Sequence, residues 1–271
     1  MRRSLLLLGL LLAGAGIVSA QTVPPEARAE LTPTGTLRAA INFGNPVLAQ
    51  RDRAGGGAGG VSVALARALA ERLNVPLTLI PFDAAGAVTD ANKASGGHAW
   101  DVAFLAVDPV RGEEIGFTSP YVIIEGIYAV MANSPIRSNE EVDREGVRVS
   151  VGRGSAYDLY LTRALQRATL VRSGTSASAI TDFASQGPAG GLDVLAGVGQ
   201  PIRGFAATRP DVRVLPGRFM VIEQAMATPR GREHALAYLR RFVEEAKSSG
   251  LVARALADSN QPDAQVAPAA R

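Results

Sequence analysis

Hydrophobic positions in this chain come in short runs, separated by polar breaks that carry glycine and proline. After an N-terminal apolar stretch, the first such run, residues 36–41, reads as a strand and ends in the loop Asn42-Phe43-Gly44-Asn45-Pro46. Residues 53–60 are glycine-rich and read as a flexible turn. Val61, Leu65, Leu69 and Leu73 recur every fourth position, the spacing of one helix face. Pro76 follows that helix, and residues 77–80 form the next strand. A weak helical pattern covers 84–97 before a strand at 101–105. A longer β-type run spans 123–131. Strand and helix then alternate again: strands at 147–151, 169–172 and 193–196, with helices at 155–166 and 175–184 between them. Strands at 212–215 and 220–226 precede two closing helices, 233–249 and 251–258.

Alternation of this kind predicts parallel α/β units. They fall into two blocks, about 36–122 and 147–215, each the size of a small α/β lobe. The β-runs at 123–131 and 218–226 lie at the joins.

The segment before the first strand changes the expected compartment. Arg2 and Arg3 precede an apolar stretch from Leu5 to Leu12, and Val18-Ser19-Ala20 offers a small-residue cleavage site. Residues 1–20 therefore read as a cleaved signal peptide, and the run is too short to prefer a membrane span. Residues 21–34 read as a flexible lead-in and 259–271 as a flexible tail.

The chain has no cysteine, which excludes disulfides, thiolate metal ligands, a cysteine nucleophile and a lipid tether on cysteine. Without Arg2 and Arg3 the balance is 26 basic to 25 acidic residues, so no polybasic field invites nucleic acid or a membrane surface. His98 and His234 are far apart and lack metal-ligand spacing. There is no Gly-x-Ser-x-Gly, phosphate loop or Ser-His-Asp arrangement. No catalytic residue, metal or cofactor is expected.

The most informative stretch is residues 100–121. An apolar strand stops at Asp108-Pro109, Arg111 stands three residues after the aspartate, and Phe117-Thr118-Ser119-Pro120-Tyr121 follows. This resembles the ligand-carboxylate clamp of the family 3 bacterial solute-binding proteins, the extracytoplasmic receptors of amino-acid ABC importers. The resemblance covers about residues 35–257. It includes the helix from Val61, the strand–glycine–serine run Val147 to Ser155, the Gly191-Leu192-Asp193-Val194-Leu195-Ala196 phrase and the closing helix.

The resemblance implies a type II periplasmic-binding-protein fold: two lobes, a ligand cleft between them and two crossover strands. Lobe 1 would comprise 35–125 plus 223–258, and lobe 2 would comprise 126–222. It also implies a periplasmic monomer that hands a small carboxylate or amino acid to an inner-membrane ABC permease. A cyclohexadienyl-dehydratase-like enzyme and a sensor module for a membrane receptor are the alternatives on this fold.

Asp108 before Pro109 fits a helix N-cap with proline at the first position. Spacing alone would pair Arg111 with Glu113 or Glu114; the resemblance gives it the ligand carboxylate, which a guanidinium grips with two parallel hydrogen bonds. The end of the preceding strand, Leu105 and Ala106, joins the candidate ligand-binding set. Ser155 and Asp158 form a capping-box-like helix start, and the resemblance turns the amides of Ser155 and Ala156 toward the ligand. Asn42, Phe43 and Asn45 read either as an ordinary turn or, on the resemblance, as polar contacts and an aromatic lid.

Two departures stand out. The run before Arg111 lacks the usual serines and threonine. No acid stands near Gly197-Val198-Gly199, where the family's ammonium-pairing aspartate would fall. Glu125, alone in an apolar run, is the candidate replacement. Its other reading is a hinge residue facing water or paired with an arginine. Glu223, in the second join, is a weaker candidate of the same kind.

Overall fold

The structure, a computed structural model, describes residues 22–51 and 57–270. The expected signal peptide and residues 53–56 of the glycine-rich stretch lie outside the described residues.

The chain opens with helix α1 (Pro25–Leu31), where the sequence pattern suggested a flexible lead-in. Pro25 sits at its first position, and Ala27 and Leu31, four residues apart, are buried where α1 packs on the long C-terminal helix. Strand β1 (Leu37–Asn42) leads to a two-residue hairpin, β2 (Gln50–Arg51) with β3 (Ala58–Gly59). Helix α2 (Val61–Leu73) buries Val61, Leu65, Leu69 and Leu73 as their spacing requires. Fully burying each leucine contributes about 1.5–3 kcal/mol. Asn74 ends the helix in the left-handed conformation, φ 49°.

Strand β4 (Leu77–Phe82), helix α3 (Ala85–Ala94) and strand β5 (Val102–Ala106) complete the first block. Buried Asp101, just before β5, ion-pairs with Arg38 of β1 at 2.8 Å and with Arg232 at 3.0 Å. That pairing ties the first strand to the returning C-terminal segment.

Strand β6 runs 17 residues, Ile115–Met131, and starts earlier than the apolar pattern indicated. Pro120 has no N–H for the ladder, and the partner strand shifts register around Ala225, opposite it. The second block follows: β7 (Arg148–Gly152), α4 (Ala156–Ala164), β8 (Thr169–Ser173), α5 (Ser176–Gln186), β9 (Val194–Val198) and α6 (Gly199–Ala207). Strands β10 (Val212–Val214) and β11 (Met220–Pro229) precede α7 (Glu233–Ser248) and α8 (Leu251–Asp258).

The tail does not end as loose chain. Strand β12 (Gln265–Val266) pairs with Ile123 and Val122 of β6, and Ala264 and Ala267 are buried. Lys247 Nζ donates to the carbonyl oxygens of Pro120 and Pro268, at 3.2 and 2.7 Å.

The main sheet has the order β4-β1-β5-β11-β6-β9-β7-β8, with β10 and β12 also on β6. The β4-β1-β5 and β8-β7-β9 groups are parallel within themselves. Antiparallel β6 and β11 join them: residues of β6 up to Gly126 pair with β11, and those from Gly126 onward pair with β9. Two lobes thus share one sheet through two crossover strands. Among the described residues, no helix is long and apolar enough to cross a membrane, and no group of three or more His, Asp or Glu is placed to hold a metal ion.

Candidate ligand-binding cleft

All five residues of β5 are buried, so the strand reaches the cleft without a solvent-facing side. The chain must then turn sharply. Asp108 does this: its Oδ1 accepts from Val110 N at 2.9 Å, and its carbonyl accepts from Gly112 N at 2.9 Å. The expected helix is a single 3-10 turn, Arg111–Glu113. Asp108 has a second role that local sequence did not reveal. Its carboxylate, 5% exposed as a residue, ion-pairs with Arg163 of α4 at 2.7 Å.

Arg111 is 3% exposed and forms no ion pair with Glu113, Glu114 or any other described acid. Nη1 donates to the Ala106 carbonyl at 2.9 Å, within its own lobe. Nη2 donates to the Gly154 carbonyl at 2.8 Å, in the other lobe. Nε is buried with no partner. Burial lowers the guanidinium pKa to about 10, with the Asp108 charge acting in the opposite sense, so the group stays cationic at neutral pH.

The facing lobe presents the start of α4. Ser155 caps it, Oγ accepting from Asp158 N at 3.0 Å. The Asp158 carboxylate accepts from Gly154 N at 2.8 Å and ion-pairs with Arg172 at 2.8 Å. The Ser155 amide donates to Gly152 O at 3.1 Å and so is committed within the chain, contrary to the expectation that it faces a ligand. The amides without a partner are the next two, Ala156 and Tyr157. Gly154 has φ +67°, and a Cβ there would come within 2.8 Å of Gly86 Cα, so the lobes meet backbone to backbone.

Between these parts lies a cavity of about 40 Å³, room for about three waters as it stands. The first lobe lines it with Asn42, Asn45, Leu105, Ala106 and Arg111, and the second with Arg153, Ser155, Ala156, Tyr157 and Ser176. Seven of the nine expected site residues are therefore brought together. The other two stand apart. Phe43 is not on the cavity wall; it packs against the core with Arg51 stacked 4.1 Å from its ring centre. Glu125 is not at the cleft floor; it is held by Arg203 at 3.0 Å and Arg218 at 2.9 Å, outside the cavity. These arginines, Arg218 first, hold its carboxyl below the usual range. Glu223 is exposed on β11.

The residue missed by sequence reading is its neighbour Gln224. It is 5% exposed, lines the cavity from a crossover strand, and its side-chain amide has no partner among the described residues. The available signal was strand alternation: if Glu223 faces out, residue 224 faces in.

The fold and cleft define a two-lobed type II periplasmic-binding-protein architecture. The chain belongs to the bacterial extracellular solute-binding proteins, family 3, whose profile matches residues 37–258. Solved structures of the same fold include the cysteine-binding protein from Campylobacter jejuni, 16% identical with a TM-score of 0.71 over 86% of this chain and 92% of that one. An amino acid ABC transporter substrate-binding protein from Streptococcus pneumoniae, bound to L-arginine, is 20% identical with a TM-score of 0.69 over 84% and 96%. An ancestral amino acid-binding protein, described as a precursor of cyclohexadienyl dehydratase, is 20% identical with a TM-score of 0.69 over 85% and 98%. No curated protein sequence matches the chain.

Proposed function

We propose that this chain is the periplasmic substrate-binding protein of an ABC importer, and that it captures an amino acid or related small carboxylate by closing its lobes. The observation that carries this reading is Arg111: a buried cation at the lobe junction, with Nε unpartnered and Nη2 on a carbonyl of the opposite lobe. Nε and Nη2 form one edge of the guanidinium fork, the edge that accepts a carboxylate with two parallel hydrogen bonds. The unpartnered amides of Ala156 and Tyr157 supply donors from the other side. A carboxylate held by both would make ligand capture and lobe closure one event.

The same wall speaks against a dehydratase-like enzyme. Such chemistry needs a positioned acid or base. Among the described residues no aspartate or glutamate lines the cavity, and Glu125 is bound to two arginines elsewhere. Export as a monomer after cleavage at Ala20, followed by docking of the closed form on an inner-membrane permease, completes the proposal.

The test is a thermal-shift screen of denatured and refolded protein against amino acids and small organic acids. Ligand at 100 times its Kd adds about 2.7 kcal/mol. Stabilisation by a carboxylate, without turnover of prephenate or arogenate, supports the receptor. Turnover that Glu125→Gln abolishes would replace it with the enzyme.

A further inference from the structure

Accepting that the cleft is a carboxylate receptor, its charges say which carboxylates it takes. Two arginines line the cavity: Arg111, buried, and Arg153, exposed and without an ion-pair or hydrogen-bond partner for its side chain among the described residues. No described acid lines it. Of the acids near the lining residues in sequence, Asp83 is paired to Arg51, Asp108 to Arg163 and Asp158 to Arg172, while Glu223, between Ile222 and Gln224, is exposed on β11 and off the cavity wall.

The neutral groups lean the same way. Asn42 Oδ1 already accepts from Gly44 N at 3.0 Å, and Asn45 Oδ1 from Val47 N at 3.3 Å, which leaves their NH2 donors unengaged. Helices α3, α4 and α6 start at the wall, at Ala85, Ala156 and just after Val198, and α3 and α6 have no side-chain cap. Their N-terminal ends add further positive potential. An ammonium group here would sit between guanidiniums and dipole ends of its own sign, with no counter-charge on the wall. A second carboxylate would meet Arg153.

We infer that the ligand is a small dicarboxylate without an amine. One carboxylate lies on Arg111 and the free amides of α4, the other on Arg153, and the amides of Asn42, Asn45 and Gln224 contact the body between them. The wider groove alongside, which shares Ala84, Arg111 and Arg153 with the cavity, carries Asp90, Glu113 and Glu114. Those acids line that groove and not the cavity, and they are where an amine would have to reach instead.

The experiment is calorimetric titration of the refolded mature protein, purified from the periplasm. The ligands form matched sets: succinate, aspartate and butyrate; then glutarate, glutamate and pentanoate; then neutral and basic amino acids. Succinate or glutarate should bind at least tenfold more tightly than any other compound tested. Arg153→Gln, at an exposed position, should lower dicarboxylate affinity about tenfold and leave the monoacids unchanged. If aspartate, glutamate, a monoacid or another amino acid binds as tightly as the dicarboxylates, the dicarboxylate assignment falls and the receptor stands. Binding by none of them overturns both.

Discussion

The carboxylate of Asp108 and the guanidinium of Arg163 meet at 2.7 Å across the cleft. Asp108 shapes the turn that presents Arg111, and Arg163 lies on α4, whose first amides face the cavity. The two halves of the binding site are therefore latched beside the site itself.

Loss of this latch should loosen the closed form. Arg163→Met removes the cation from a partly exposed side chain and leaves the Asp108 carboxylate without its partner. Ligand should dissociate roughly tenfold faster, about 1.4 kcal/mol, with little change in association. Stopped-flow measurement of release checks this.

Glycine at 154 should be required for closure. In Gly154→Ala the new Cβ meets Gly86 Cα at 2.8 Å, backbone against backbone, at a φ of +67°. Ligand-dependent compaction in X-ray scattering should be lost in this variant. Gly86→Ala makes the milder contact, 3.2 Å to Gly154 Cα, and sits in α3, where alanine is the better helix former. Its unliganded stability should be unchanged or slightly raised while its affinity falls.

Glu125→Gln should leave ligand affinity intact, because Glu125 sits outside the cavity with Arg203 and Arg218. Its side chain is 34% exposed, so the stability loss at pH 7 should be at most about 1 kcal/mol. Arg218 and then Arg203 depress the folded carboxyl pKa, so the contribution is present above the unfolded value of about 4.3. It is lost as pH falls through the lower, folded value. Wild type and variant should differ in urea midpoint at pH 7 and converge in strongly acidic buffer.

Truncation after Asn260 should destabilise the protein. It removes β12 from the crossover strand β6, along with buried Ala264 and Ala267 and the Pro268 carbonyl that accepts from Lys247. A loss of about 1–3 kcal/mol is expected from the apolar area and hydrogen bonds involved, read from urea unfolding.

Much of this fold was legible because local pattern and tertiary demand agree. The four-residue spacing of Val61, Leu65, Leu69 and Leu73 marks a helix, and all four are buried. Helix α6 was hidden because Gly199, Pro201 and Gly204 sit inside it, and local reading treats such residues as breaks. The tail and α1 were misjudged because short polar segments gain order only by docking on β6 and α7. At the site, Arg111 was legible from its turn. The roles of Glu125 and Asp108 were not, since their arginine partners lie 55 or more positions away in the chain, and only folding unites them.

The most direct measurement is a side-by-side titration of refolded wild type and Arg111→Ala with the carboxylate that most stabilises the wild type. Wild type should bind, and the variant, folded by circular dichroism, should lose at least a hundredfold in affinity, about 2.7 kcal/mol. Equal binding by the two would contradict Arg111 as the clamp.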